Sequence, residues 1–354
     1  MNRICVEPCK TEHQKVVGLN NWYWKGQSKM NYVWEDYSSK YSEKIEAFLD
    51  SEAIKYTGCE DGFDNFYSYW EEELRANFWC KVILIENEPI AIIAFAKAPD
   101  NIFTIQEFIV SPNNRGKGYG SAILKELLAH SKKIIGQDIF VAKAVIYPDN
   151  KASQRAFQKA GFVYTGTHSD EDAWYYQYIK PNIRQLTCED LKTDFLNGFN
   201  HNQTWNKQWV KENNSWVLKD CVMSREWDNE KREWIPTYLL EQINRGGATI
   251  GAYVKDKLVG FCSIDGTLRN GYANMTMLFI DDDYKRLGIG KKLFLSISEK
   301  AKTIGAEKLF ISAIPSQDTI TFYMAVGCKD AIYLPNEFLD SPNDRYLELE
   351  LGKK

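Results

Sequence analysis

Two stretches place residue types at spacings that do chemistry. In "RGKGYGSAIL" (115–124), Arg115-x-x-Gly118-x-Gly120 closes an apolar strand and opens an amphipathic run; in "KRLGIGKKLF" (285–294), Lys285-x-x-Gly288-x-Gly290 does the same. Such a turn gathers the free backbone N–H groups of a helix N-terminus into one small space, and its glycines let a pyrophosphate come close. Gly116, Tyr119, Leu287 and Ile289 complete the two turns, while Arg115, Lys117, Lys285 and Arg286 add positive charge at the rims. Competing phosphate turns fit less well. A P-loop needs G-x-x-x-x-G-K-[ST], and Gly290-Lys291 lacks both the earlier glycine and the hydroxyl. A dinucleotide fingerprint needs G-x-G-x-x-G inside a βαβ unit; Gly116-x-Gly118-x-Gly120 is one residue short and follows hairpins. For one copy alone, a turn with glycine caps stays open as a plain alternative.

The elements that must hold these turns are themselves repeated. Gly118 and Gly288 are 170 residues apart, and in "NKASQRAFQKAGF" (150–162) and "SQDTITFYMAVGC" (316–328) Phe157 matches Tyr323 and Gly161 matches Gly327 at an offset of 166. Upstream, 80–98 and 248–264 each read as a β-hairpin, and 102–110 and 272–280 as a further strand. Each turn is followed by a helix (121–133; 291–304), a strand (139–147; 308–314) and a last helix (151–160; 317–326). The reading is two consecutive α/β domains, 1–180 and 181–354, joined near Pro181.

The bulk numbers exclude several classes. The 354 residues suit two domains, and a net charge of −4 gives no basic field for nucleic acid. No apolar run is long enough for a membrane span, and the N-terminus lacks the apolar core of a signal peptide. The eight cysteines then fit free thiols in a reducing cytoplasm better than a disulfide frame. Cys5 and Cys9 have no partner pair at metal-site spacing, and His13, His130, His168 and His201 form no ligand cluster, so no metal is expected. The oligomeric state is left open.

Both halves resemble the GNAT superfamily of N-acetyltransferases, as a tandem pair. The resemblance is most specific at "RGKGYGSAIL" and at "NKASQRAFQKAGF", which is similar to the family's second motif, N-x-x-[AS]-x-x-x-[YF]-x-x-x-G-F. It implies a mixed, mostly antiparallel, splayed sheet flanked by helices in each half, with acetyl-CoA as cofactor. Its pyrophosphate would lie on the turn and its pantetheine arm in the splay. That places backbone contacts at Phe108 and Val110, and at Leu278 and Ile280, with Asn150 near the arm. An acetyl transfer to an amine needs a base for the amine, a donor for the oxyanion and, helpfully, an acid for the departing thiolate. The family's usual acid is a Tyr, which the second half has at Tyr323 and the first replaces with Phe157. A base position falls on Glu107 in the first half and on Met277 in the second, where Asn274 and Thr276 are the nearby polar groups. Cys328 and Ser316 also depart from the pattern. On asymmetry, the second half with Tyr323 is expected to do the chemistry.

Other readings of the same residues stand beside these. Tyr323 also fits a buried aromatic, and Glu107 a place on the wet face of its strand. Aromatic segments at 20–41, 61–80 and 224–242, mixed with Glu35, Asp36, Asp61, Asp64, Glu71, Glu72 and Glu73, suit a cationic small-molecule or peptide amine acceptor. They equally suit amphipathic helices with a solvated acidic face. A non-catalytic acyl-CoA sensor or scaffold, and a transferase of longer acyl chains, remain alternatives.

Overall fold

The structure is a computed structural model that describes residues 32–167 and 173–352. Cys5, Cys9, His13, His168 and the 20–31 part of the first aromatic segment lie outside the described residues. The first half runs β1 (Val33–Asp36), α1 (Ser42–Glu46), α2 (Ser51–Tyr56), α3 (Phe63–Leu74), β2 (Phe78–Ile85), β3 (Glu88–Lys97) and β4 (Phe103–Val110). It continues with α4 (Tyr119–Ile135), β5 (Val141–Ile146), α5 (Lys151–Ala160), β6 (Val163–Thr167) and β7 (Trp174–Ile179). The second half has β8 (Asn182–Gln185), β9 (Asn202–Glu212), β10 (Ser215–Glu226), α6 (Asn229–Asn244), β11 (Ala248–Val254), β12 (Lys257–Ile264) and β13 (Tyr272–Ile280). It closes with α7 (Ile289–Thr303), β14 (Lys308–Ala313), α8 (Gln317–Ala325), β15 (Lys329–Asp330) and β16 (Arg345–Glu350).

All strands but β9 and β10, which pair as a two-stranded sheet of their own, form two mixed, mostly antiparallel sheets of seven strands, ordered β1-β2-β3-β4-β5-β7-β6 and β15-β16-β14-β13-β12-β11-β8, each flanked by helices. The chain leaves the first sheet at Ile179 and enters the second at Asn182. Local sequence explains the elements. The central strands β2, β3, β11 and β12 are almost continuously buried, as strands covered on both faces must be. α4 buries Ile123, Leu124, Leu127, Leu128 and Ile135, one stripe at helical spacing, and ends where left-handed Gly136 returns its N–H to the Lys132 carbonyl. α5 buries Gln154, Phe157 and Ala160 three apart, and Asn150 caps it by accepting from the Ser153 N–H.

The repeat extends to irregularities. Register slips put one extra residue in β4 at Gln106, between the pairs Ala94–Glu107 and Phe95–Ile105. β13 does the same at Thr276, between Ser263–Met277 and Ile264–Met275. The parallel neighbours then part at the same step: β4 pairs with β5 only as far as Ile105–Ala144, and β13 with β14 only as far as Met275–Ile311.

The two halves share apolar packing. Val141 and Ile179 of the first sheet belong to the same buried cluster as Ala252, Val254 and Leu293 of the second half, with Ile102, Phe140 and Val163 packed against it. Expressed singly, 1–180 and 181–354 would each expose part of this cluster. The expected outcome is that each piece alone aggregates and that co-expressed pieces co-purify as one species on size exclusion; two soluble monomers with sharp thermal transitions would contradict it.

Candidate active site

In the first half the parted strands open a cleft of about 460 Å³. Its floor and walls bring together most of the residues that the motifs singled out: Glu107, Phe108, Val110, Arg115, Gly116, Gly118, Tyr119, Gly120 and Asn150 all line it, with Phe157. Lys117 is exposed beside the turn and is not among the lining residues. The turn itself is built as its glycines require. Gly116 and Gly118 hold φ of +74° and +87°, values that side chains resist, and a Cβ at either would meet nothing within 4 Å, which leaves open space over the first N–H groups of α4. Gly120 lies close to Ala156, Phe108 and Val110, so the helix start packs tightly on the strand end.

Arg115 is placed differently from the expectation of a cation at the rim. Its Nε donates to the Val110 carbonyl at 3.1 Å, and its two terminal nitrogens grip Asp50 at 2.7 and 3.0 Å. Glu52 at 3.1 Å and the Phe48 carbonyl at 3.4 Å take the remaining donors. All five N–H groups of the guanidinium have acceptors, and its hydrogen bonds hold the Asp50 carboxyl below the usual carboxylate range. What the turn offers an anion is therefore backbone N–H groups and helix dipole.

Glu107 is not on a wet face. It is buried, 8% exposed, because the extra residue at Gln106 re-aims the strand. One carboxylate oxygen accepts from the Gly58 N–H at 3.2 Å and the other from the Phe108 N–H at 3.0 Å. Burial pushes its carboxyl up to about 7, against the pull of those two N–H groups. A carboxyl poised there takes a proton at neutral pH.

The remaining wall comes from a segment that sequence reading passed over. α2 runs across the mouth of the cleft, and Glu52, Ala53, Tyr56 and Thr57 line it. The Thr57 hydroxyl is buried there. The carboxylates expected on an acceptor wall lie elsewhere: Glu71, Glu72 and Glu73 are exposed on α3, which buries Phe63 and Phe66 on its other side. Asp64 accepts from Tyr37 and Ser42, and Glu35 from Lys40 and Tyr41. The amphipathic reading therefore holds for α3.

The second half repeats the frame with other side chains, and a Cβ at Gly288, as at Gly118, would meet nothing within 4 Å. Gly288 keeps the left-handed geometry, φ +77°, and Arg286 takes the strained φ of +63° where the first half has glycine. Lys285 is paired with Asp282, and the turn residues Leu287 and Ile289 are buried in the core, with Leu278 and Ile280 packed against it. Phe322 stands where the first half has Ala156, and its ring is 3.4 Å from a Cβ at Gly290. Met277 is buried in an apolar cluster with Trp227 and Phe261. Tyr323 is buried too, edge-on to Phe294 and Phe322, and burial pushes its phenol well above the usual value. A hairpin, β9–β10, crosses this side. It turns at Asn213 and Asn214, both at positive φ, a two-residue signal between alternating strands that the sequence does carry. The Trp209 N–H donates to the Pro315 carbonyl at 2.7 Å, and Gln208 bridges to Ser316, just beyond the parting of β13 and β14. Arg345, paired with Asp330, lies over Trp209 and Trp216.

The acetyltransferase (GNAT) family model matches residues 30–162 and again 205–327, more than half of the sequence. The chain belongs to the GNAT family. Two copies of the fold stand in tandem within it. Similar solved structures include a putative streptothricin acetyltransferase from Bacillus anthracis str. Ames, in complex with acetyl coenzyme A. It is 20% identical, covers 49% of this chain and 99% of its own, and has a TM-score of 0.40. A GNAT acetyltransferase from Staphylococcus aureus Mu50 is 18% identical over 49% of this chain and all of its own, TM-score 0.35. An aminoglycoside acetyltransferase in complex with coenzyme A is 15% identical over 42% of this chain and 95% of its own, TM-score 0.36. No curated protein matches the sequence. Among the described residues, no group of three His, Cys, Asp or Glu is arranged for a metal, and no helix is long and apolar enough to cross a membrane.

Because the folded Glu107 carboxyl titrates near 7 instead of its usual 4.5, the folded chain holds a proton that the unfolded chain releases. Stability must then fall as pH rises from about 4.5 through 7, by about 3 kcal/mol at most, and stay lowered above that. Glu107→Gln is expected to remove this loss, so that denaturant midpoints at pH 5 and pH 8 differ less in the variant than in the wild type.

Proposed function

We propose that the chain is an acetyl-CoA-dependent N-acetyltransferase whose working site is the cleft of the first half. The observation that carries this reading is that the cleft joins an open glycine turn to a buried carboxyl poised near neutrality. The pyrophosphate rests on the N–H groups of the 116–120 turn, with the Lys117 charge outside it. The pantetheine arm lies along β4 and pairs with backbone at Phe108 and Val110, past Asn150. Glu107, directly or through one water, takes the proton from a primary amine, which attacks the thioester carbonyl. A backbone N–H in the splay holds the oxyanion. The CoA thiolate leaves without an acid, since position 157 is Phe and a thiolate is a tolerable leaving group near neutral pH. The acceptor enters beside α2, where Tyr56 and Glu52 suit a cationic small-molecule amine of the kind aminoglycoside acetyltransferases take. The unpaired cysteines among the described residues fit a cytoplasmic setting.

In this reading Tyr323 is a core residue and the second half a support. A second reading, in which the 285–290 turn also holds CoA, is favoured by the left-handed Gly288 and by Leu278 and Ile280 at the matching strand positions. Calorimetry separates them: Gly118→Asp should abolish CoA binding and Gly288→Asp should leave it unchanged. The chemistry is tested by thiol release from acetyl-CoA with a panel of primary amines. Glu107→Gln should lower kcat/KM by about 10²- to 10⁴-fold, and Tyr323→Phe should stay within about twofold of wild type. Loss of turnover in Tyr323→Phe with full turnover in Glu107→Gln would move the site to the second half. Tight CoA binding with no amine-dependent release would instead make the chain a sensor.

A further inference from the structure

Asp50 and Gly58 mark the two ends of the segment that roofs the cleft, and each is tied to a different part of the proposed machinery. At one end Asp50 caps α2 by accepting from the Ala53 N–H at 2.9 Å, while its carboxylate takes both arms of Arg115, the first residue of the pyrophosphate turn. At the other end, two residues past α2, the Gly58 N–H donates to Glu107 at 3.2 Å. Between them Tyr56 meets Tyr147 at 6.1 Å and Lys55 pairs with Asp149 at 2.6 Å, so α2 spans from the β4 rim to the β5 rim. The two attachments differ in kind. The Arg115–Asp50 contact is bidentate, with the Arg115 side chain 26% and Asp50 39% exposed, whereas both partners of Lys55–Asp149 are 58% exposed, and such a pair adds little.

The second half repeats this device in other residues. There the chain is tied to the turn where Asp281 and Asp282 accept from the Asn200 and Asn202 N–H groups, at 3.1 and 2.6 Å. It then crosses to the far rim, where the Trp209 N–H meets the Pro315 carbonyl. A segment held first at the turn and then at the opposite strand is thus a property of both copies.

Resting on the reading of the first cleft as the acyl-CoA site, we propose that Arg115 is a positioning residue. Through Asp50 and α2 it transmits occupancy of the pyrophosphate turn to Gly58, which sets the carboxylate of Glu107 against the acceptor. A guanidinium whose five donors are all taken has none to spare for phosphate, so its work is to fix the turn to α2. Cofactor binding that orders the turn then orders the roof and the base.

The test is hydrogen exchange of the full chain with and without coenzyme A, read by mass spectrometry. In the wild type, CoA should slow exchange about tenfold or more in peptides covering 116–121 and also in those covering 51–58. In Arg115→Gln the slowing should persist at 116–121 and vanish at 51–58. Asp50→Asn keeps the cap acceptor but loses the paired charge, and should behave alike; it serves if Arg115→Gln does not fold. Persistence of slowing at 51–58 in either variant, or its absence there in the wild type while 116–121 responds, overturns the proposal. No response at 116–121 in the wild type instead overturns the cofactor reading beneath it.

Discussion

The constraint on which the rest depends is the parting of two parallel strands. β4 and β5 share three paired positions, Phe103–Ala142 to Ile105–Ala144, and then β4 runs on for five residues to Val110 without that neighbour. Backbone N–H and C=O groups cannot stay both buried and unpaired. Whatever lies in the gap must therefore be extended and polar along one edge, or the gap must stay wet. The extra residue at Gln106 begins the divergence and turns Glu107 inward, so one irregularity makes both the channel and the buried carboxyl. The second sheet carries the same irregularity at Thr276 and inherits the same problem.

The two halves answer it differently, and side chains decide which answer is available. In the first, Ala156 is small, glycine at 116 accepts a left-handed backbone without strain, and the roof is a six-residue helix held by side chains. Side-chain contacts at an exposed rim yield readily. In the second, Phe322 takes up room beside the turn, Arg286 bears the left-handed strain, and the crossing segment is a strand that makes backbone hydrogen bonds to 315–316. Behind it, Trp209 packs into the core under Arg345. Unseating it would expose an indole and an Arg–Asp pair together, a far larger change than parting Lys55 from Asp149.

Much of this was legible in the sequence, and the rest has a physical reason for being hidden. The 170-residue offset between glycine turns carried the strand and helix order of both copies, because turns, hairpins and amphipathic stripes are local patterns. The places of Phe108, Val110 and Asn150 along the cleft followed from the resemblance to the GNAT family, and that of Gly118 from the glycine turn itself. What escaped were contacts between residues far apart in the chain. Arg115 meets Asp50 across 65 residues, and Glu107 meets Gly58 across 49, with no periodicity to announce either. The β9–β10 hairpin did leave a local mark at Asn213–Asn214, but its eleven- and twelve-residue strands have no buried position and so carry no core-strand pattern. The acidic run at 71–73 misled for the opposite reason: charge at helical spacing is what a solvated helix face looks like whether or not a ligand is near.

The Tyr–Phe asymmetry between positions 323 and 157 shows how a motif residue can keep its place and lose its setting. A phenol helps a leaving thiolate only when it touches the sulfur and can release its proton. Tyr323 occupies the motif position, yet Phe294, Phe322 and Cys328 enclose it, and burial raises the cost of its phenolate. Glu107 shows the converse. It stands beside a gap where burial raises its pKa, and two backbone N–H groups keep its charged form accessible near pH 7. At its matching position Met277 leaves the second half with no titratable group there and a continuous apolar face. Where the fold supplies the same frame twice, the side chains beside the gap thus differ between the copies, and they are set by residues outside the glycine motif.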